Sequence, residues 1–210
     1  MNPSGVPVLL VHGIWDSATR LDPLRTGLKT RGIADVESID LVPNDGRAPI
    51  AVLGARVAKA AAELQRKHGC ERIDLVGFSM GALVTRWFIQ RGGGRSTVRR
   101  FVSISGPHGG TLTAYALPFA GVRDMRPASD LLRDLAADAD PWGSVEVHCL
   151  YTPFDLMIVP AKSAVLPNAR AVHRFTVPMH RFMITNARVL DSVAAILRSP
   201  TLRDPSSPSA

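Results

Sequence analysis

The sequence is poor in cysteine and in aromatic residues. Only two of its 210 residues are cysteines, and phenylalanine, tryptophan and tyrosine together make up 6%. So few cysteines exclude a small fold that is held together by many disulfides. Cys70 and Cys149 lie beside or inside predicted buried strands, where a free cysteine behaves as a small apolar side chain. We therefore favour two free thiols, and a disulfide between them is the alternative.

Segments that would export the chain or anchor it in a membrane are also missing. The apolar run at 6–11 has no basic region before it and is shorter than the apolar part of a signal peptide. Residues 101–122 contain no Asp, Glu, Lys or Arg, but the SGPHGGT stretch within them would break a spanning helix. We expect a cytoplasmic protein without stable insertion into a membrane.

Positive charge exceeds negative charge, and the formal net charge is +7 at pH 7. The basic residues are densest in RWFIQRGGGRSTVRR at 86–100, and such a cluster can bind nucleic acid. This cluster lies at a predicted helix end, where cations interact favourably with the helix dipole and GGG ends the helix. We therefore interpret it as a solvated basic face and expect no nucleic-acid partner.

Short apolar runs alternate with helical patterns along the chain, which is typical of an α/β protein with a mostly parallel sheet. Strands are predicted at 6–11, 36–41, 72–76, 98–103, 145–150 and 171–177. Helices are predicted between them, including one at 80–91 and a last one with Met183, Ala187, Leu190, Ala194 and Leu197 on one face. These elements form one predicted domain over residues 1–200, followed by a disordered Pro/Ser-rich tail at 201–210.

The pattern G-x-S-x-G occurs as GFSMG at 77–81, after a predicted strand and before a predicted helix. In this setting the serine occupies a strained turn, and its hydroxyl stands clear of the sheet as a nucleophile. This turn explains the glycines at 77 and 81, because side chains at these positions would collide across it. We predict that Ser79 is the catalytic nucleophile, and an ordinary serine in a strand-to-helix turn is the alternative.

A serine hydroxyl needs a base, and imidazole suits this task because it titrates near neutral pH. Of the six histidines, His180 is the best candidate, since it lies in a loop between the last strand and the last helix. Asp155 follows the fifth strand and should emerge at the same sheet edge, where it can orient the imidazole. A turn-capping role for Asp155 is the alternative. The rival carboxylates lie in an irregular segment, mostly at helix-surface spacing: Asp130, Asp134, Asp138 and Asp140.

The oxyanion of a tetrahedral intermediate needs backbone N–H donors that are placed before the reaction begins. Met80, directly after the nucleophile, is one predicted donor. The second donor should come from the loop after the first strand, where VHGIWD at 11–16 supplies Ile14 after an HG pair. For His12 and Gly13, shaping a turn is the alternative role.

Together, VHGIWD, GFSMG, SGPHGGT, DLMIVP and MHRF resemble the α/β-hydrolase superfamily, and within it the small bacterial, triacylglycerol lipase-like lipases and esterases. The resemblance implies a minimal α/β-hydrolase fold with about six mostly parallel strands and helices on both faces. It also implies the triad Ser79, Asp155 and His180 and no cofactor. No metal is expected, although DLAADAD at 134–140 leaves bound calcium open.

The expected activity is that of an esterase or lipase acting on a small-molecule acyl ester or lipid, with short to medium acyl chains. A thioesterase, an acyltransferase and a catalytically silent binding scaffold are the alternatives. The long irregular segment at 107–143 can supply an apolar wall or small cap for the acyl chain from Leu112, Tyr115, Leu117, Phe119 and Met125, which could equally be core. The predicted substrate-binding residues are His12, Trp15, Phe78, His108, Leu112 and Met157. The oligomeric state is not indicated by the sequence.

Overall fold

The structure is a computed structural model, and it describes residues 5–200. The tail at 201–210 that was predicted to be disordered lies outside the described residues. Six strands form one sheet in which every neighbouring pair is parallel, in the order β2-β1-β3-β4-β5-β6. The strands are β1 Val8–Val11, β2 Val36–Ile39, β3 Ile73–Phe78, β4 Val98–Ile104, β5 Glu146–Tyr151 and β6 Ala171–Arg174. The predicted α/β-hydrolase architecture is confirmed.

Helices connect the strands and cover both faces of the sheet. They are α1 Asp22–Lys29, α2 Ile50–His68, α3 Met80–Arg91, α4 Gly94–Thr97, α5 Ala120–Asp124, α6 Asp130–Ala136 and α7 Ala187–Arg198. Shorter 3-10 helices occur at Ala18–Leu21, Leu112–Tyr115, Ala161–Ala164 and His180–Ile184. Within residues 5–200, none of the helices combines the length and the apolar character needed to cross a bilayer.

The central strands are apolar on both sides because each side packs on a different helical layer. Leu9 and Val11 of β1 point into a core that includes residues of α2 and α3. Val8 and Leu10 of the same strand point into a second core with residues of α1 and α7. Each leucine buried in this way contributes about 1.5–3 kcal/mol relative to an exposed position. The two cores together hold the carboxyl ends of β1 and β3 side by side.

The last helix begins later than predicted. Asn186 caps α7, since its side chain accepts hydrogen bonds from the N–H groups of Arg188 and Val189. Met183, which was expected on the helix, lies in the preceding 3-10 turn, and Ala187 is exposed. The cap therefore shifts the buried face to Val189, Leu190, Val193, Ala194, Ile196 and Leu197.

Four of the five arginines at 86–100 form ion pairs with carboxylates of the same chain. Arg91 contacts Asp134 at 2.8 Å and Asp138 at 2.9 Å, which fastens the segment around α6 to the end of α3. The interpretation of this stretch as a solvated face is wrong for Arg86 and Arg100, whose side chains are buried. Further ion pairs of the stretch are Arg95–Asp138, Arg99–Asp74 and Arg100–Glu146.

Candidate active site

Ser79 occupies the tight turn between β3 and α3. Its backbone has φ 55° and ψ −128°, a conformation that costs a non-glycine residue free energy and that persists only when its surroundings hold it. A Cβ atom at Gly77 would lie 2.6 Å from the Cα atom of Ala82, and one at Gly81 would lie 2.3 Å from the carbonyl oxygen of His12. Both glycines are therefore required by close backbone contacts. Ser79 retains 8% of its surface exposed.

His180 and Asp155 form a close pair at the same edge of the sheet. The Nδ1 atom of His180 lies 2.7 Å from Oδ2 of Asp155. The Oδ1 atom of Asp155 accepts the backbone N–H groups of Met157 and Ile158, each at 2.9 Å. An ionised Asp155 can only accept, so Nδ1 is the donor and Nε2 of His180 is left free to take a proton.

The pKa of Asp155 is lowered by this environment. Burial by itself would raise the pKa, but the hydrogen bond from His180 and the two backbone N–H donors outweigh burial and lower it. Asp155 is therefore held as a carboxylate next to the imidazole. The ring of Phe78 lies 4.8 Å from the ring of His180 between centroids, and this contact restricts the imidazole further.

The loop after β1 is attached to the loop after β2. The Leu41 N–H donates to Nε2 of His12 at 2.9 Å, and the Trp15 N–H donates to the carbonyl oxygen of Asn44 at 2.7 Å. The side-chain amide of Asn44 in turn donates to the carbonyl oxygen of Asp16 at 2.6 Å. These contacts hold the backbone at Gly13 and Ile14 in one position.

This loop lies directly against the serine. A Cβ atom at Gly13 would be 2.9 Å from Cβ of Ser79, so only glycine allows the approach. Among the residues that the structure describes, the N–H groups of Ile14 and Met80 have no acceptor, and the hydroxyl of Ser79 has no hydrogen-bond partner. Free N–H groups beside a serine hydroxyl can hold a developing oxyanion.

Asp16 is a residue of this site that the sequence reasoning missed. A Cβ atom at Gly13 would lie 3.3 Å from Oδ2 of Asp16 and 3.4 Å from Oγ of Ser79, so the two side chains border the same small space. Oδ1 of Asp16 faces Nε of Arg20 at 3.7 Å. Burial raises the pKa of Asp16, while the charge of Arg20 opposes the rise. The sequence feature that could have indicated Asp16 is its place in the same loop as Ile14, the predicted oxyanion donor.

The predicted substrate-binding residues fall into two groups. Trp15, Leu112 and Met157 are exposed at the carboxyl edge of the sheet. His12 and Phe78 are buried and contact site residues rather than open space. His108 is also buried, and its Nε2 atom lies 2.7 Å from the hydroxyl of Ser103. The first group is open to solvent, and the second group is not.

Exposed apolar side chains surround the site on the loops that follow β1, β4, β5 and β6. Their exposure reaches 79% at Leu156, and it is the grouping of several large exposed apolar side chains at one edge that is informative. We refer to this set as the apolar rim: Trp15, Leu112, Tyr115, Phe154, Leu156, Met157, Met179 and Phe182.

A parallel sheet of this order, with a strained serine at the end of β3, defines an α/β-hydrolase. The sequence profile of the palmitoyl protein thioesterase family matches residues 7–139, and the chain belongs to this family. The matched part includes the loop after β1 and the turn at Ser79, and it ends before Asp155 and His180.

One curated relative is similar to part of this chain, and solved structures share its fold. Palmitoyl-protein thioesterase 3 of Dictyostelium discoideum is 25% identical over 119 residues, which are 55% of this chain and 39% of that protein. Lipase B of Aspergillus fumigatus has a similar fold, with a TM-score of 0.81, 20% identity and coverage of 96% of this chain and 54% of that one. The mature lipase BlEst2 of Bacillus licheniformis has a TM-score of 0.76 and 18% identity, and the match covers 93% of this chain and 92% of that one. The chain thus spans only about half or less of the first two proteins.

Proposed function

We propose that the protein is a serine hydrolase that cleaves carboxylic esters through an acyl-enzyme intermediate, with Ser79, His180 and Asp155 as the triad. The observation that carries this proposal is the 2.7 Å contact between His180 and Asp155 at the sheet edge where Ser79 is held in a strained turn. Backbone strain of this kind is found at active sites, where it can hold a nucleophile within reach of a base.

The proposed reaction uses the side chains in a fixed order. Nε2 of His180 removes the proton from Ser79 as Oγ attacks the carbonyl carbon of the ester, and Asp155 stabilises the resulting imidazolium. The N–H groups of Ile14 and Met80 bind the oxyanion. Collapse breaks the bond to the leaving alcohol, which takes the proton from His180. Water then attacks the acyl-enzyme by the same route and releases the carboxylic acid.

The apolar rim supports an acyl group as the part of the substrate that is bound. Of the five apolar residues considered for the acyl wall, Met125 is buried, and Leu117 and Phe119 pack against the core. Leu112 and Tyr115 remain exposed and can contact an acyl chain, so we propose that the segment at 107–143 serves as a small cap through them. An open rim with few such residues favours short to medium acyl chains.

Thioester cleavage is the second candidate, and membership of the palmitoyl protein thioesterase family favours it. The same triad acts on both bonds, because a thiol is expelled at least as readily as an alcohol. Turnover of S-butyryl-N-acetylcysteamine and of its oxygen ester analogue separates the two candidates, since the compounds differ in one atom. A large excess of kcat/KM for the sulfur compound would assign the protein as a thioesterase.

The proposal is tested by hydrolysis of p-nitrophenyl butyrate and by labelling with a fluorophosphonate probe. We expect Ser79→Ala to lose labelling and to lower kcat by about three or more orders of magnitude. Ser105→Ala is the matched control, because Ser105 follows β4 with a similar positive φ of 50° but no helix begins after it. A labelled, active Ser79→Ala variant would refute the proposal, as would an inactive and unlabelled wild type.

A further inference from the structure

The candidate site contains two carboxylates, and the proposed acyl transfer uses only one. Both oxygens of Asp155 are occupied, by His180 on one side and by the N–H groups of Met157 and Ile158 on the other. Asp16 lies beside Ser79 but has no step in the reaction. A negative charge next to the position where an oxyanion forms opposes the chemistry, so its presence calls for another role.

The carboxylate of Asp16 and the hydroxyl of Ser79 border the same small space beside Gly13. Oδ2 of Asp16 and Oγ of Ser79 approach one point above Gly13, at 3.3 Å and 3.4 Å. The opposite oxygen, Oδ1, faces Arg20 at 3.7 Å, but 49% of the Arg20 side chain is exposed. Water therefore screens this ion pair, and Arg20 only partly offsets the negative charge at Ser79.

The remaining charged groups around Asp16 do not cancel its field. His12 accepts a hydrogen bond at Nε2, which requires the neutral ring. His180 must be neutral to act as the base, and its partner Asp155 is itself an anion. Burial raises the pKa of Asp16, and the charge of Arg20 opposes this rise. The same burial reduces the screening of the Asp16 charge by water.

We propose that Asp16 sets the charge selectivity of the active site, favouring substrates with a positive charge close to the scissile bond and disfavouring those with a negative charge there. This inference rests on the proposed function, because it takes Ser79 as the nucleophile. The preferred substrate is an ester or thioester that carries an ammonium or guanidinium group near the carbonyl. The same repulsion acts on the carboxylate product and assists its release.

Three butyrate esters of similar shape test this selectivity: butyrylcholine, its uncharged carbon isostere 3,3-dimethylbutyl butyrate, and the anionic 2-sulfoethyl butyrate. For the wild type we expect kcat/KM to favour the cationic over the neutral ester by about fivefold or more, and to disfavour the anionic ester by a similar factor. Asp16→Asn should bring both ratios close to one. A purely structural role for Asp16 would change all three rates together and leave the ratios as they were.

Asp22→Asn is the matched control, because Asp22 has the same charge a few residues along but pairs with Arg25 at the start of α1. It should keep the wild-type ratios. If Asp16→Asn does not fold, Asp16→Ser takes its place in the comparison, because this variant removes the same charge.

Unchanged ratios in a folded Asp16 variant would overturn the inference, while hydrolysis of the neutral ester would leave the proposed function standing. An equal loss of selectivity in Asp22→Asn would mean that the selectivity comes from the net charge of the protein, and this result would also overturn the inference. A wild type that hydrolyses none of the three esters would refute the proposed function and the inference with it.

Discussion

The Nε2 atom of His12 accepts the backbone N–H of Leu41 at 2.9 Å. Because Nε2 is the acceptor, Nδ1 is the donor, and it lies 2.8 Å from the carbonyl oxygen of Gly13. The imidazole is thus held at both nitrogens, between the loop after β1 and the end of β2. The direction of the Ile14 N–H group depends on this buried ring.

Replacing His12 by Phe should reduce both stability and catalysis. The change leaves the buried Leu41 N–H without its acceptor, which costs about 1–3 kcal/mol of unfolding free energy. We expect kcat to fall by as much as about 10²–10³, the effect of losing one oxyanion donor, with a smaller change in KM. Urea unfolding and steady-state kinetics with p-nitrophenyl butyrate measure the two effects. His68→Asn, at the end of α2, should change neither, and full kcat in His12→Phe would contradict the expectation.

Asp155→Asn should reduce kcat by about 10⁴, because the imidazole loses the partner that holds its tautomer. The variant should still bind the fluorophosphonate probe slowly at Ser79, since the nucleophile remains. Kinetics with p-nitrophenyl butyrate provide the measurement. A loss below about tenfold would mean that another carboxylate serves His180.

Asp155 should also make stability depend on pH. Its pKa is lowered in the folded protein, since the hydrogen bonds to the carboxylate outweigh the effect of burial. Such a group stabilises the fold above its unfolded pKa, near 4, and this contribution disappears as the pH falls through the lower folded pKa. The difference in unfolding free energy between wild type and Asp155→Asn should therefore shrink from about pH 5 to pH 2. A constant difference would contradict this reasoning.

Gly13→Ala should abolish activity, whereas Gly69→Ala should not. The new Cβ at residue 13 would meet Cβ of Ser79 at 2.9 Å and displace the nucleophile or the loop. Gly69 has φ 60° but no atom near its Cβ position, so alanine there costs only the backbone term of about 1–2 kcal/mol. Rates of fluorophosphonate labelling compare the two variants. Similar rates would show that the contact at Gly13 is tolerated.

Leu112→Ser should weaken the use of longer acyl chains. The change removes apolar surface from the rim and should lower kcat/KM for p-nitrophenyl octanoate by roughly five- to thirtyfold, equivalent to one or two kcal/mol. The acetate ester should be affected less. Val172→Ser, which alters an exposed apolar residue of β6 outside the apolar rim, serves as the control in the same chain-length series. An equal loss for acetate and octanoate would exclude an acyl contact at Leu112.

Local sequence was sufficient for the elements whose signals are local. The apolar runs predicted all six strands, and GFSMG located the turn at Ser79 and the helix from Met80 to Arg91. The start of the last helix was missed because the capping side chain of Asn186 competes with the apolar periodicity around it. The order along the chain also placed Asp155 and His180 in loops at one sheet edge, and the structure brings them within hydrogen-bond distance.

What the sequence by itself determined is the strand and helix pattern, and with it the α/β-hydrolase class, because both follow from contacts between near neighbours in the chain. Only the tertiary structure decided that Phe78 packs against His180, that Asn44 holds the loop after β1, and that Asp16 and Ser79 border the same space beside Gly13. These contacts join separate loops, and their geometry depends on how packing in the two cores positions the strands. No spacing in the sequence encodes such an arrangement.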